Sequence, residues 1–323
     1  MRKRNKSLLL LTTLLTMGSS AIFPIYTQAS SNGIDTTVVN EKWGKPTFVY
    51  GGGLSEAQIE ETMTLLNIEN PDNVHSFAVT GEDLQHYLND GETDTSAMIS
   101  SVIVQKQDAG KGVEVVIQTP ENITQITADQ YINAAITAGV SDAKISVASV
   151  SRVTGESALT GIYKAFDANG EELEQDRMEV AQEELETTNQ IVQENEGVEG
   201  FDGSQLDQAI IEIKQSLADL KESQGELATR EDIERIINEA LANANLGDYV
   251  TQEQFDRLLD LFEKYQQTSA IDSQEVKDQL TDLANSVQDK VSDLITKAEE
   301  NGVMDKIAKF FQDIWQAITG LFN

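Results

Sequence analysis

The stretch VTGESALTGIYKAF, Val153 to Phe166, holds the residue types of a reactive or anion-binding turn. A β-branched run ends, a glycine follows, a serine sits among small residues, and a second glycine lies inside an expected helix. Three readings apply: a nucleophile turn, an anion-binding turn, or a joint between a strand and its covering helix. A nucleophile elbow needs a glycine two residues after the serine, and Gly155-Glu156-Ser157-Ala158-Leu159 lacks it. A reactive serine also needs a base within hydrogen-bond reach. His75 and His86 both lie upstream, so Lys164 is the local substitute. Two helical turns would hold it about 10 Å from Ser157. An anion fits better, because the N–H groups at a helix start point outward. Gly155, Glu156, Ser157 and Gly161 therefore form a candidate ligand turn. Glu156, however, already offers its own carboxylate to the helix dipole. The first expectation is a structural joint.

Other candidate sites are sparser. Gly51-Gly52-Gly53 is followed by no Gly-Lys-Ser/Thr, so it is no phosphate loop and reads as a strand-to-helix connection. Two histidines and no cysteine exclude the usual zinc patterns and any disulfide. NDGETD (Asn89 to Asp94) and DANGEE (Asp167 to Glu172) cluster oxygen ligands near a glycine, without the full EF-hand spacing. They read as solvated turns, with weak calcium binding as the alternative. Asn122 opens a formal glycosylation sequon.

These residues need elements to position them. Strand signals concentrate between residues 30 and 170: PTFVYGGGL, VHSFAV, the pair of runs in SSVIVQKQDAGKGVEVVIQT, and AKISVASVSRV. The pair around Asp108 to Gly112 reads as a β-hairpin. Capping boxes at Ser55/Gln58 and Thr127/Gln130 open two helices, and a third helix runs from about Glu156 to Phe166. From Glu171 the pattern is helical and acidic, broken at glycines. Leu206, Ile210, Ile213, Leu217 and Leu220 step at 4-3-4-3 spacing. Phe255, Leu258, Leu259 and Phe262 make a second stripe behind the box Thr251/Gln254, and Val276, Leu280, Leu283 and Val287 a third. Each run is too short for an extended coiled coil, so a small bundle is expected, with intermolecular pairing as the alternative. The fold class is thus α+β: a mixed α/β domain with a small sheet over 30–170, an acidic helix and linker over 171–203, and a helical bundle or mobile helical tail over 204–323.

The first 29 residues carry Arg2, Lys3, Arg4 and Lys6, an apolar run from Leu8 to Leu15, and Thr27-Gln28-Ala29 as a cleavage signal. This is the design of a secretory signal peptide, cut near Ala29. Gly18, Ser19, Ser20 and Pro24 argue against a retained anchor. The expected location is extracellular or at the cell surface. The net charge is −32, and losing four basic leader residues makes the mature chain more negative still. Such a polyanion is repelled by nucleic acid and by bare anionic lipid.

The segment MDKIAKFFQDIWQAITGLFN ends the chain with one apolar face: Ile307, Phe310, Phe311, Ile314, Trp315, Ile318, Leu321 and Phe322. Its charges rule out a membrane span. Each large side chain left in water would forgo about 1.5–3 kcal/mol, so something covers the face. The candidates are the protein's own core, a membrane surface, or an envelope protein.

LSEAQIEETMTLLNI, TADQYINAAITAGVSDAKISVASVSRVTGESALTGIYKAF and the acidic helical tail together resemble the YpuA-like family of secreted Gram-positive bacterial proteins. The elements that carry the likeness are Thr127 to Val140, Ala143 to Val150, and Gly155, Ala158, Leu159 and Gly161. The resemblance covers about residues 40–170 well and the tail in composition. It implies export and an envelope setting, and it brings a domain of unknown function with no catalytic residues or cofactor. The expectation is a non-enzymatic interaction or envelope-maintenance factor. The alternatives are an extracellular glycosidase-like hydrolase using two carboxylates and a calcium-responsive surface adhesin.

Overall fold

Side-chain alternation gives β1 (Thr47–Gly51) two apolar faces, with Phe48 on one and Val49 on the other. The computed structural model describes residues 33–39, 41–89 and 93–300, with side chains to Gln288. β1 joins a five-stranded sheet with β2 (His75–Val79), β3 (Ser101–Lys106), β4 (Val113–Ile117) and β5 (Ala143–Ala148). The spatial order is β2-β1-β3-β5-β4. β1 and β2 are parallel, β4 and β5 are parallel, and β3 runs antiparallel to both of its neighbours, β1 and β5.

Phe48, Ile103 and Ala148 face Leu66 and Ile68, which follow α1 (Glu56–Leu65), together with Ile34. On the other face, Val49, Val102, Val104, Ile145 and Val147 lie beneath α3 (Ala128–Ala138) and α4 (Ser157–Ala168). The Cβ of an alanine at Gly161 would lie 3.2 Å from Val102, so the glycine lets α4 approach the sheet closely. The shorter α2 (Gly81–Leu88) packs beside α4.

The sequence suggested a hairpin of β3 and β4, and this is incorrect. β5 lies between them, antiparallel to β3 and parallel to β4. The reason is burial. AKISVA is buried at five of six positions and takes the interior place, while VEVVI, with exposed Glu114, takes the edge. The connection after β3 is pinned by Asp142, whose Oδ1 accepts from the N–H groups of Lys111 and Gly112. Two runs alternating around a short glycine loop do not by themselves specify which strand each will meet. A parallel return needs a crossover, and α3 supplies it between β4 and β5.

α3 is the middle layer of the molecule. Tyr131, Ala134, Ala135 and Ala138 face the sheet, while Ile136 belongs to a second core. That core is built by α5 (Gln175–Glu194), α6 (Gly203–Gln224), α7 (Arg230–Asn243), α8 (Gln252–Tyr265) and α9 (Gln274–Glu300). α3 packs against α5, α6 and α9, which explains an alanine-rich helix whose one charged residue is Asp129 in its first turn. The expected stripes are its interior: Leu206, Ile210, Ile213 and Leu217 on α6, Leu258, Leu259 and Phe262 on α8, and Val276 through Val287 on α9. All three expected capping boxes are formed.

Candidate functional site

The central turn is held by its own neighbours. Gly155 adopts φ +112°, and its carbonyl accepts from the Tyr131 hydroxyl at 2.6 Å. A Cβ there would lie 2.5 Å from that hydroxyl oxygen, so only glycine fits. Glu156 accepts weakly from the Asn189 amide on α5, at 3.4 Å. Ser157 is the first residue of α4, and Gly161 is pressed onto the sheet a turn later. Lys164 is paired with Asp83 of α2 at 2.8 Å. The turn thus brings Gly155, Glu156, Ser157 and Gly161 to one strand-to-helix junction, and three of them have structural work there.

The other sequence candidates are also engaged. Cβ atoms at Gly51, Gly52 and Gly53 would all meet backbone of other strands or turns within 2.8 Å, so these glycines permit close backbone packing. In DANGEE, Asp167 accepts from Tyr87 at 2.9 Å, and Glu171 accepts from Trp43 at 2.7 Å and Lys106 at 2.6 Å. In NDGETD, Asp94 caps the turn Thr95–Ala97 by accepting from Ser96 N. Among the described residues no three His, Cys, Asp or Glu side chains converge as a metal-binding set. No helix among them is long and apolar enough to cross a membrane. The candidate face from Ile307 to Phe322 lies outside the described residues.

The most concentrated polar chemistry lies where α3 meets α5 and α6, and the spacing arguments passed over it. Lys214 on α6 is fully buried. Its Nζ donates to Glu184 Oε1 at 2.6 Å, Thr137 Oγ1 at 2.7 Å and Asn133 Oδ1 at 2.8 Å. Thr137 Oγ1 in turn lies 2.8 Å from Glu184 Oε2, and the Tyr265 ring sits 5.7 Å from the ammonium. Burial holds Lys214 below its usual pKa, and Glu184 opposes that shift by favouring the charged form. Beside it, Arg177 donates to the carbonyls of Thr137 and Ile136 at the C-terminal end of α3, where a cation complements the helix dipole. One signal in the sequence could have found this seam. Asp207 and Lys214 alternate with Ile211 and Ala218 at 4-3-4 spacing beside the expected stripe, an apolar-interleaved row in which a buried charge pair could be sought.

A cleft of about 530 Å³ opens at the carboxyl ends of the parallel strands β4 and β5. One wall carries Thr124, Gln125 and Arg152, from the connections that follow those strands. The other carries Gln193, Glu196 and Phe201, from the end of α5 and its connection to α6. Gln193 donates to Gln125 at 2.6 Å and to Asn189 at 2.8 Å, so a chain of carboxamides runs from the cleft to Glu156 of the central turn.

Together these features define an α+β protein in which a mixed five-stranded sheet is fastened to a helical layer through α3, with α5 also contributing to both cores. The chain belongs to the family described as protein of unknown function (DUF1002), which it matches over residues 50–283. It is 31% identical over 281 residues to the uncharacterized protein YpuA of Bacillus subtilis (strain 168), across 84% of this chain and 88% of that one. No solved structure matches it. The family match spans the central turn, the buried seam and the cleft.

Proposed function

We propose that this is an exported, non-enzymatic binding protein of the bacterial cell envelope. The observation that carries the non-enzymatic part is the pairing of Lys164 with Asp83 at 2.8 Å. It ties up Lys164, the lysine a serine–lysine pair would need, while Tyr131 and Asn189 hold the rest of the turn. The leader residues Arg2 to Ala29 support export. The two-layer architecture supports binding, because a shared buried helix makes a rigid scaffold for an exposed surface. The apolar face with Phe310, Phe311 and Trp315 is the proposed contact with the envelope.

Expression of the full chain in a Gram-positive host, followed by fractionation and N-terminal sequencing, tests the reading. A mature chain beginning near Ser30 in the medium or on the cell surface supports it. Full-length protein retained in the cytoplasm contradicts it. Co-sedimentation of the mature chain with zwitterionic vesicles, against its Trp315→Asp variant, then separates a membrane contact from a protein contact.

A further inference from the structure

We infer that the cleft between Arg152 and Glu196 is a binding site for a short zwitterionic peptide, whose carboxylate meets Arg152 and whose ammonium meets Glu196. The proposal stands apart from export, since it rests on the cleft alone. A volume of about 530 Å³ falls in the range of small-ligand sites. Its place also fits, because ligands of open α/β sheets bind beyond the carboxyl ends of parallel strands.

The lining sets the chemistry. Arg152 comes from the connection between β5 and α4, and its guanidinium makes no ion pair or hydrogen bond among the described residues. In a chain of net charge −32, whose described cations mostly sit on carboxylates, that is unusual. Glu196 comes from the opposite wall, and its carboxylate likewise makes no ion pair or hydrogen bond among the described residues. Asp202 on the same wall is committed to capping α6, accepting from Ser204. One wall thus offers a fork of donors suited to a carboxylate, and the other an acceptor suited to an ammonium. Between them Gln193 Nε2 is committed to Gln125 Oε1 and Asn189, which leaves Gln125 Nε2 as a donor and Gln193 Oε1 as an acceptor for a peptide bond. Half-buried Val192 and Phe201 give an apolar surface for a side chain. A simple anion would meet Glu196 and the overall negative field, and a simple cation would meet Arg152. A molecule carrying both charges satisfies both walls.

The test uses the mature full chain and three probes: alanyl-alanine, its N-acetyl form and its C-terminal amide, each titrated by nuclear magnetic resonance. The expected result is saturable binding of alanyl-alanine in the millimolar range, weakened about tenfold by either blocked end. Arg152→Gln should weaken alanyl-alanine about tenfold and leave the amide unchanged. Glu196→Gln should weaken alanyl-alanine similarly and leave the N-acetyl form unchanged. Both residues are exposed, so both variants should keep the parent melting temperature. Absence of saturable binding overturns the proposal, as does binding indifferent to both variants. Equal losses of melting temperature in the two variants without ligand also overturn it, because Arg152 and Glu196 would then be an ion pair between the walls.

Discussion

Lys214 Nζ lies 2.6 Å from Glu184 Oε1, with the lysine side chain 0% and the glutamate 3% exposed. Burying two charges is costly, and their attraction repays it only when the remaining hydrogen-bonding capacity is met. Here Asn133 and Thr137 of α3 meet it. The pair therefore keys α5 and α6 onto α3, which is itself packed against the sheet.

Removing either partner alone should be severe. Lys214→Met leaves Glu184 as an uncompensated buried charge, and the expected loss is about 3–5 kcal/mol in urea unfolding. The double change Lys214→Met with Glu184→Leu should recover most of that loss. A double variant as unstable as the single one would show that the charge pair is not what Lys214 supplies.

Gly155 and Ser157 should behave oppositely. Gly155→Ala forces a side chain onto φ +112° and against Tyr131, for an expected loss of about 2–4 kcal/mol. Half-buried Ser157 should tolerate alanine better, with a change in stability of less than about 0.5 kcal/mol. Thermal unfolding of both variants checks this. A Ser157→Ala variant that folds normally but loses a hydrolytic activity would end the structural-joint reading.

Asp142 holds the route around β5. It sits at φ +47° while its carboxylate accepts from Lys111 N and Gly112 N. Asp142→Ala should cost about 1–3 kcal/mol by leaving Gly112 N without its acceptor and Lys111 N with only the longer 3.3 Å bond to the Asp108 carbonyl. Asp142→Asn should cost less, because asparagine keeps an acceptor and tolerates positive φ. Urea midpoints of the two variants give the comparison, and equal losses would argue against the hydrogen bonds.

Alkaline stability follows from the buried phenols. Burial raises Tyr131, Tyr163 and Tyr265 above the ordinary value of 10.0, and burial with the Asp167 hydrogen bond raises Tyr87. Above pH 10 the unfolded chain releases these protons while the folded chain keeps them. Their contribution is therefore fully present below pH 10 and is lost as pH rises beyond it. Phenolate absorbance should show these four tyrosines ionising together with the loss of circular dichroism. Smooth ionisation ahead of unfolding would contradict the burial.

Much of the fold is legible in local pattern. The capping boxes at Ser55, Thr127 and Thr251 and the stripe from Leu206 to Leu217 act within one or two turns, so spacing reveals them. The strand order is not local. β5 displaces β4 from β3 because of relative burial across the whole sheet, and nothing near Asp108 to Gly112 encodes that. The seam was hidden for a related reason. Lys214 and Glu184 look like solvated helix residues until α3, α5, α6 and α8 are packed together around them. The cleft brings together residues from Thr124 to Phe201, none of them a motif alone.

The central claim is that the sheet and the helical layer fold as one unit around α3. Trp43 reports on the sheet side, where its ring packs edge-on to Phe166 at 4.8 Å and its indole donates to Glu171. The most direct measurement is urea unfolding of the mature chain carrying Trp315→Phe, followed by Trp43 fluorescence and by far-ultraviolet circular dichroism. The account predicts coincident transitions with one midpoint, which Lys214→Met lowers equally for both probes. Loss of helix at lower urea than the Trp43 transition would contradict it, because the two layers would then be separate domains.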